Sequence, residues 1–430
     1  MHKAFWILGL PALTLLGSCA SVERYLPERG PPADSRLGEL HAALAPLRLS
    51  PSPEKQAAPK DKAFRGATPV FKTVKQSLRD WIEPRLVAMD KYGDGQALAN
   101  RLNEELRRAD LLCEGASEPS ADRCAPSDGS LNATGFLGPI SLDLRQSDHI
   151  LVVRTGTGIV CGVDQSAYAY EWRDKKWRRF WQYEQNIEPD KPYAPMHIGA
   201  VNIAWGEKDS HERLVQVLGN GEWCASSFND VYFSLWRADM EGGEPKLLQA
   251  QAQRAWLGKH EPPLEGSTGN SDALVEFLVP SLDIGVHSYE TVRHYQVKGD
   301  AVTRIDPIAL RPRSFTEEWL KTDWAESAGW TAPLRRDALK SWHDALHSDD
   351  LYGEFTDVSR HCRKDPELWQ VAIRFGASDK PQTGAFFLIR WRPPYRFEMV
   401  EITRAPRPDC DEADEAADAE QTLFPVQDWR

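Results

Sequence analysis

Residues Ile150 to Gln185 read ILVVRTGTGIVCGVDQSAYAYEWRDKKWRRFWQYEQ. This stretch contains an apolar run, a Gly-rich turn, a second short run, and aromatic residues that alternate with small or charged ones. Alternation places one face of each strand in a core, and the polar Arg-Asp-Lys-Lys break between two aromatic runs is typical of a hairpin. The stretch therefore predicts four short β-strands.

The hairpin in this stretch is the first of a series. Similar hairpins follow at residues 231 to 250, 291 to 305 and 385 to 402. Each has an aromatic or β-branched strand, a turn and a second strand. The starts of successive hairpins are about 60 residues apart once a helical insert in the last interval is left out.

This repetition predicts the fold class. Four-stranded sheets at a fixed period are typical of β-propeller blades, because radial stacking buries both faces of each sheet. We expect a mainly β protein with an irregular, propeller-like ring of roughly four to five sheets. Residues 134 to 147 would supply the strand that closes the ring. An irregular β-sandwich is the alternative.

Helical periodicity appears before the sheets and inside the last interval. The segment from residue 73 to 113 predicts two short helices, with apolar faces at Leu78, Ile82 and Leu86 and at Leu98, Leu102 and Leu106. Residues 314 to 348 predict a helical insert that begins with a capping box at Ser314 and Glu317. Its second helix would bury an apolar face formed by Leu334, Ala338, Leu339, Trp342, Ala345 and Leu346.

The N-terminus carries an export signal. Lys3 precedes an apolar core from Ala4 to Leu16, which is too short to span a bilayer, and Leu16-Gly17-Ser18 precedes Cys19. This junction resembles the lipobox of bacterial lipoproteins. The resemblance implies that residues 1–18 are removed and that Cys19 is acylated, for example with palmitate. Because Ala20 follows the cysteine, it also implies an outer-membrane anchor with the body facing the periplasm.

The residues after the anchor differ from the body in composition. Residues 19–62 are rich in Pro, Ala and Ser without a sustained period, which predicts a linker. We expect residues 63–430 to form one β-rich domain. It would end in a solvated acidic tail at residues 409–420.

Cysteine usage agrees with export. Without Cys19, six cysteines remain, an even number that in an oxidising compartment predicts disulfides. Cys161 and Cys224 each follow a Gly-containing turn near the start of a β unit, so we expect them to pair across adjacent sheets. The other expected pairs are Cys113 with Cys124 and Cys362 with Cys410.

Polar side chains near Cys161 and Cys224 are candidates for a cleft. Asp164 and Ser166 follow the first cysteine, and Ser226 and Ser227 follow the second. The alternative is that they make turn and strand-edge hydrogen bonds, as Asp and Ser often do. A further set in the third β unit comprises His287, Arg293, His294 and Asp306.

Two other segments allow both a functional and a structural interpretation. His343 and His347, four residues apart, have the spacing of metal ligands, but Arg336 and Lys340 on the same stripe favour a solvated helix face. The segment from Trp172 to Trp181 interleaves basic and aromatic residues, which suits contact with anionic lipid or glycan. Strand alternation gives a plainer account, with aromatic residues in the core and arginines in water.

Charge and motifs limit the functional classes. The 430-residue chain has 52 basic and 64 acidic residues, a formal charge of −12, so we expect no nucleic-acid partner. It contains no nucleophile elbow, phosphate loop or dinucleotide fingerprint, so the sequence predicts no cofactor.

The body resembles bacterial exported proteins of unknown activity, in the run from Cys161 to Tyr170, in Trp223-Cys224-Ala225-Ser226-Ser227 and in Asp306-Pro307-Ile308-Ala309-Leu310. The resemblance implies a single domain and no particular reaction. Two functions remain open. The first is an envelope binding or scaffold module for a protein or glycan, and the second is an envelope hydrolase with its site in a propeller channel.

Overall fold

The architecture is known from a computed structural model. It describes residues 35–48, 60–112, 133–145, 149–159, 162–184, 196–206, 211–221, 228–241, 243–256, 265–269, 271–283, 288–347, 352–356, 358–377, 380–392 and 396–413. These residues form a mainly β fold of several antiparallel sheets with helices before the first and before the last sheet.

Sheet 1 contains most of the stretch from Ile150 to Gln185. Its strands are β1 (Ala133–Arg145), β2 (Ile150–Ile159), β3 (Gly162–Arg173) and β4 (Lys176–Glu184), in that order. Ile150 to Gln185 thus supplies three long strands, and the prediction of four short ones is wrong. The Gly-rich segment lies inside β2, because glycine at position 156 allows the close approach of Val163 on β3, where a Cβ would clash. The predicted hairpin is confirmed: Asp174 and Lys175, both with positive φ, join β3 to β4.

β1 does not close a ring between distant sheets. It pairs antiparallel with β2, its neighbour along the chain, and forms an edge of sheet 1. The expectation that residues 134 to 147 serve as a closing strand is therefore corrected. The connection from β1 to β2 is short, and strands joined by short connections usually pair with each other.

Three further sheets follow along the chain. Sheet 2 comprises β5 (Met196–Trp205), β6 (Glu212–Gly221), β7 (Phe228–Asp239) and β8 (Lys246–Trp256). Sheet 3 comprises β9 (Glu265–Thr268), β10 (Asp272–Pro280), β11 (Ser288–Lys298) and β12 (Ala301–Ile305). Sheet 4 comprises β13 (Tyr352–Phe355), β14 (Arg360–Cys362), β15 (Asp365–Ala377), β16 (Lys380–Arg392), β17 (Arg396–Thr403) and β18 (Glu412–Ala413). The predicted hairpins are confirmed as β7–β8, β11–β12 and β16–β17.

The N-terminal helices extend further than the sequence predicts. They are α1 (Ser35–Arg48), α2 (Lys60–Leu86) and α3 (Gly95–Arg108). α1 lies inside the segment predicted as a linker, which corrects that prediction for these residues. Leu40, Leu44 and Leu47 recur at helical spacing and are buried in the cluster that α1 shares with α2 and β1. The surrounding Pro, Ala and Ser residues obscure this short period.

The helical insert is confirmed as α4 (Pro312–Lys321), α5 (Trp324–Ser327) and α6 (Arg336–Leu346). The predicted capping box is wrong. α4 begins earlier, after Arg311, and Ser314 and Glu317 are buried within it. The apolar face of α6 is narrower than predicted: Leu339 is buried, whereas Leu334 precedes the helix and is 98% exposed.

Helices and sheets pack as successive layers. α1, α2 and α3 cover one face of sheet 1, and the other face of sheet 1 packs on sheet 2. Sheet 2 packs on sheet 3, where the Phe233 and Tyr295 rings stack at 5.2 Å. α4 lies between sheets 3 and 4, with Phe315 stacked on Phe397 at 5.2 Å.

The start of the acidic segment is ordered rather than a solvated tail. Asp411 pairs with Arg363 at 2.8 Å, and β18 pairs with β14. Cys410 is buried and forms a disulfide with Cys362, as predicted. β18 brings the two cysteines together, and residues 414–420 lie outside the described residues.

Candidate ligand-binding site

An aromatic cluster lies at the outer edge of the contact between sheets 1 and 2. Trp181 and Tyr183 are two residues apart on β4 and therefore share a face, while Trp236 comes from β7. The Trp181 and Tyr183 rings are nearly parallel, with centroids 6.2 Å apart. The Trp236 ring is steeply inclined to both, at 6.5 Å from Trp181 and 6.1 Å from Tyr183. These are favourable geometries for aromatic contact.

A cavity of about 770 Å³ opens beside this cluster. Across the β7–β8 ladder, Tyr232 lies opposite Ala252 and Ser234 lies opposite Ala250, so these four side chains share the face that looks toward sheet 1. The methyl groups of the two alanines are too small to fill the space in front of β4. The cavity lies within the usual size range of ligand pockets, roughly 300 to 1,000 Å³.

The pocket also contains uncharged polar groups. The Trp236 Nε1–H donates to Ser234 Oγ at 2.9 Å, and the Tyr183 hydroxyl donates to Met196 Sδ at 3.3 Å. The Tyr232 hydroxyl makes no hydrogen bond within the described residues. Burial raises the pKa of Tyr183 to about 12, and burial together with Asp230 raises that of Tyr232. Both phenols therefore stay protonated at neutral pH and remain hydrogen-bond donors.

Side chains of helix α2 form ion pairs with two charged residues of β4 that line the pocket. Arg79 lies 2.7 Å from Glu184, and Glu83 lies 2.6 Å from Arg179. The Tyr168 hydroxyl also donates to Glu184 at 2.8 Å. Among the described residues, one other carboxylate lines the pocket, that of Glu244 in the β7–β8 turn, and it makes no ion pair with them. The described lining thus combines an aromatic floor, neutral donors and one carboxylate without an ion pair at its rim.

Asp164 and Ser166 do not face this pocket. Both are buried beneath α2, where Asp164 makes an ion pair with Lys75 at 2.9 Å and accepts a hydrogen bond from the Met196 backbone N–H at 3.2 Å. The expectation that they line a cleft is therefore corrected, because both side chains are buried and Asp164 is paired with Lys75 of α2. Ser226 and Ser227, the other two residues of that candidate set, lie outside the described residues, as do Cys113, Cys124, Cys161 and Cys224.

The paired histidines of α6 have a structural role. His343 is buried, and its Nε2 lies 2.9 Å from the Thr322 carbonyl oxygen, while His347 Nδ1 lies 2.7 Å from the Leu320 carbonyl oxygen. They therefore satisfy carbonyl groups at the C-terminal end of α4. Burial lowers the pKa of His343. The solvated face predicted for this stripe is wrong at His343, and the described residues contain no cluster of metal ligands.

The set proposed in the third β unit is only partly assembled. His294 lies between the Asp272 carboxylate and the Asp306 carbonyl oxygen, 2.9 Å from each. Arg293 faces the other way, toward Glu318 at 3.4 Å. His287 lies outside the described residues. No nucleophile joins His294 in these contacts, so the geometry supports a structural hydrogen-bond network.

Adjacent carboxylates of α4 have opposite environments. Burial raises the pKa of Glu317 to about 7, although Ser281 and the Leu282 N–H donate to it. Burial acts in the same direction on Glu318, but Arg304 and Arg293 outweigh it and hold the pKa at about 2. Both side chains are sealed between sheet 3 and sheet 4, so the pair is a candidate for pH-dependent stability rather than a ligand site.

The pocket was not predicted, although the sequence contains signals for it. Residues 249 to 253 read Gln-Ala-Gln-Ala-Gln, an alternation that places alanines alone on one face of a strand. The basic-aromatic hairpin was interpreted correctly: Trp177, Phe180 and Trp181 are buried, and Arg178 and Arg179 are exposed. The position of the alanines opposite β4 requires the packing of two sheets and cannot be derived from periodicity.

Comparisons with known proteins leave the family open. No protein-family model matches the chain, and none of the curated proteins compared with it is significantly similar. Within the part of the chain that the structure describes, no helix has both the length and the apolar character needed to cross a membrane.

Proposed function

We propose that the protein is a bacterial cell-envelope lipoprotein, anchored through Cys19 in the outer membrane and facing the periplasm, whose β-rich body is a binding module. The observation that carries the binding function is the aromatic pocket between sheets 1 and 2. Its floor is formed by Trp181, Tyr183 and Trp236, and its volume suits a ligand rather than a single ion. The partner is a protein or glycan of the envelope.

The signal sequence supports the location. Leu16-Gly17-Ser18-Cys19 follows an apolar core that is too short for a stable membrane span. More than one acyl chain on Cys19 would give stable attachment, because each buried methylene contributes about 0.8 kcal/mol and a single chain binds only marginally. A tethered module samples a limited volume, which raises its effective concentration toward envelope partners.

We further propose that the sheets are arranged as in an irregular β-propeller. The layered contacts from sheet 1 to sheet 2 and from sheet 2 to sheet 3 support this arrangement, as does the insertion of α4 between sheets 3 and 4. The propeller would be irregular because layers of helices take the positions that β-sheets have in a regular propeller. An irregular β-sandwich is the alternative arrangement.

In-cell photo-cross-linking tests the binding function. A photoreactive residue replaces Leu247, which is 45% exposed at the pocket rim, and in a matched strain it replaces Leu334, which is exposed outside the pocket. We expect the residue at position 247 to form cross-links with one defined class of envelope molecule. The additional substitution Trp236→Ala should abolish these adducts. Trp236→Phe, which keeps an aromatic ring, should retain them. Equal adducts from both positions, or none from position 247, would contradict the proposal.

The alternative function is an envelope hydrolase with its site in a propeller channel. If that site is this pocket, Glu244 is its candidate general acid or base, because Glu184 is held by Arg79 and Tyr168. Turnover of esters, glycosides or peptides that disappears with Glu244→Gln would support the hydrolase over the binding module.

A further inference from the structure

We propose that the ligand of the pocket is an uncharged, extended glycan that carries N-acetyl groups, a chain of β-linked N-acetylhexosamines. This inference rests on the proposed binding function and names the class of its ligand. It is derived from the lining residues of the cavity between β4 and β8.

The pocket offers an apolar surface. Sugar rings present flat C–H faces that pack on aromatic side chains, and Trp236 and Tyr232 offer partly exposed rings in the pocket. The lining also contains Leu247, Ala250 and Ala252, all exposed to solvent. These aliphatic side chains lie beside the aromatic floor, where the methyl group of an acetamido substituent can pack on them.

The pocket also offers hydrogen-bonding groups. The Tyr232 hydroxyl, which makes no hydrogen bond within the described ranges, is suited to donate to an acetamido carbonyl. The Glu244 carboxylate, without an ion pair in the same ranges, is suited to accept from an amide N–H or from sugar hydroxyls. Tyr232 pairs with Ala252, whereas Glu244 lies in the β7–β8 turn beyond the Arg237–Lys246 pair, roughly 17 Å or more along the ladder. The two groups would therefore contact different sugars of one extended chain.

Charge limits the ligand further. Arg179 and Glu184, the other charged side chains of the described lining, are paired with Glu83 and Arg79 of α2. The described lining residues contain no other cation, so an anionic ligand would meet the Glu244 carboxylate without a charge to balance it, which is unfavourable. The described lining therefore disfavours an anionic ligand.

The pocket lies at the edges of two sheets. β4 is an edge strand of sheet 1 and β8 is an edge strand of sheet 2, so the pocket lies where both sheets end. A chain bound there can continue past the pocket into solvent. We therefore expect a hexamer to bind more tightly than a dimer of the same sugar.

Calorimetric titration of the full-length, detergent-extracted protein tests the inference with two matched probes. N-acetylchitohexaose and cellohexaose have the same linkage and length, but only the former carries acetamido groups. We expect N-acetylchitohexaose to bind about ten-fold more tightly, the equivalent of one or two hydrogen bonds. Tyr232→Phe, which removes one hydroxyl, should weaken its binding by roughly two- to ten-fold, whereas Tyr92→Phe, exposed outside the pocket, should not change it.

The outcomes separate this inference from the function on which it rests. Equal affinity for the two hexamers, or binding of neither while the cross-links from position 247 persist, would overturn the N-acetyl glycan and leave the binding function standing. If the wild-type protein neither forms the cross-links from position 247 nor binds either hexamer, both proposals are overturned. Heparin is a strongly anionic glycan. If it bound more tightly than N-acetylchitohexaose, the inference of an uncharged ligand would likewise be contradicted.

Discussion

The Lys75 Nζ lies 2.9 Å from Asp164 Oδ2, and the two side chains are 3% and 0% exposed. This ion pair joins α2 to β3, and Asp164 also accepts from the Met196 N–H of β5. It therefore connects the N-terminal helices with sheets 1 and 2. Because α2 also holds the charged wall of the pocket through Arg79 and Glu83, the pair fixes the helix on which that wall depends.

Removal of one partner of this pair should strongly destabilise the protein. Lys75→Met leaves the Asp164 carboxylate buried without its cation, which costs about 3 to 5 kcal/mol of unfolding free energy. The double variant Lys75→Met/Asp164→Asn should recover much of the loss, because no buried charge remains. Urea unfolding of a soluble form that begins at residue 20 measures both changes.

The matched control is Lys340→Met, since Lys340 forms an exposed pair with Asp344 on α6. We expect it to change the unfolding free energy by less than about 1 kcal/mol. A loss at Lys75 no greater than the loss at Lys340 would show that the buried ion pair contributes little.

Glu317 should make stability depend on pH. Burial raises its pKa in the folded protein to about 7, above the usual value of 4.5. The folded state therefore binds the proton more tightly, and the resulting stabilisation is complete below pH 4.5 and lost as the pH rises through 7. The shift corresponds to an effect on the order of 3 kcal/mol. Glu317→Gln, which cannot ionise, should gain stability relative to the wild type between pH 5 and 8.

Glu318 is the control for this measurement. Its pKa of about 2 keeps it ionised throughout the same range, so Glu318→Gln should carry a penalty that does not vary between pH 5 and 8. Chemical unfolding at several pH values compares the two variants with the wild type. A constant difference between Glu317→Gln and the wild type would contradict the titration of Glu317.

Peptide mapping without reduction should find two of the expected disulfides in particular. The first joins Cys362 to Cys410, and at a separation of 48 residues it should stabilise the fold by about 4 kcal/mol on the chain-entropy model. The second, Cys161 with Cys224, stays a prediction. Asp164 contacts the backbone of Met196, which pairs with Gly221, so the described residues flanking the two cysteines are close. Free thiols at Cys161 and Cys224 would contradict the second pairing.

Some elements of the fold could be predicted from the sequence, and others could not. The hairpin from Tyr168 to Tyr183 was predictable, because aromatic alternation and a short polar turn act locally. Gly156 was misread as part of a turn, because its contact with Val163 on β3 appears only after the strands pair. α1 was missed, because Leu40, Leu44 and Leu47 form a short period inside a Pro- and Ala-rich segment.

The pocket was harder to predict than the strands around it. Ala250 and Ala252 become a site only because β8 lies opposite Trp181 and Tyr183 of another sheet. Similarly, Lys75 and Asp164 are far apart in sequence, and no period in either segment connects them. Contacts between layers are non-local, so residue patterns within one strand or helix do not report them.

Acylation of Cys19 should be visible in the intact mass of the membrane-extracted protein. We expect loss of residues 1–18 and the added mass of more than one acyl chain, because one chain gives only marginal attachment. Cys19→Ser should abolish this modification and the outer-membrane fractionation. An unmodified N-terminus on the wild-type protein would contradict the proposed anchor.

The central claim is that the pocket between sheets 1 and 2 is the binding site, and filling it tests the claim most directly. Ala252 is exposed on the pocket wall, so Ala252→Trp should occupy the cavity without disturbing a core, and Ala338→Trp on α6 adds the same bulk elsewhere. The measurement is the yield of envelope adducts from the photoreactive residue at position 247 in each background. We predict that Ala252→Trp abolishes the adducts while Ala338→Trp leaves them at the wild-type level. Undiminished adducts with Ala252→Trp would contradict the claim.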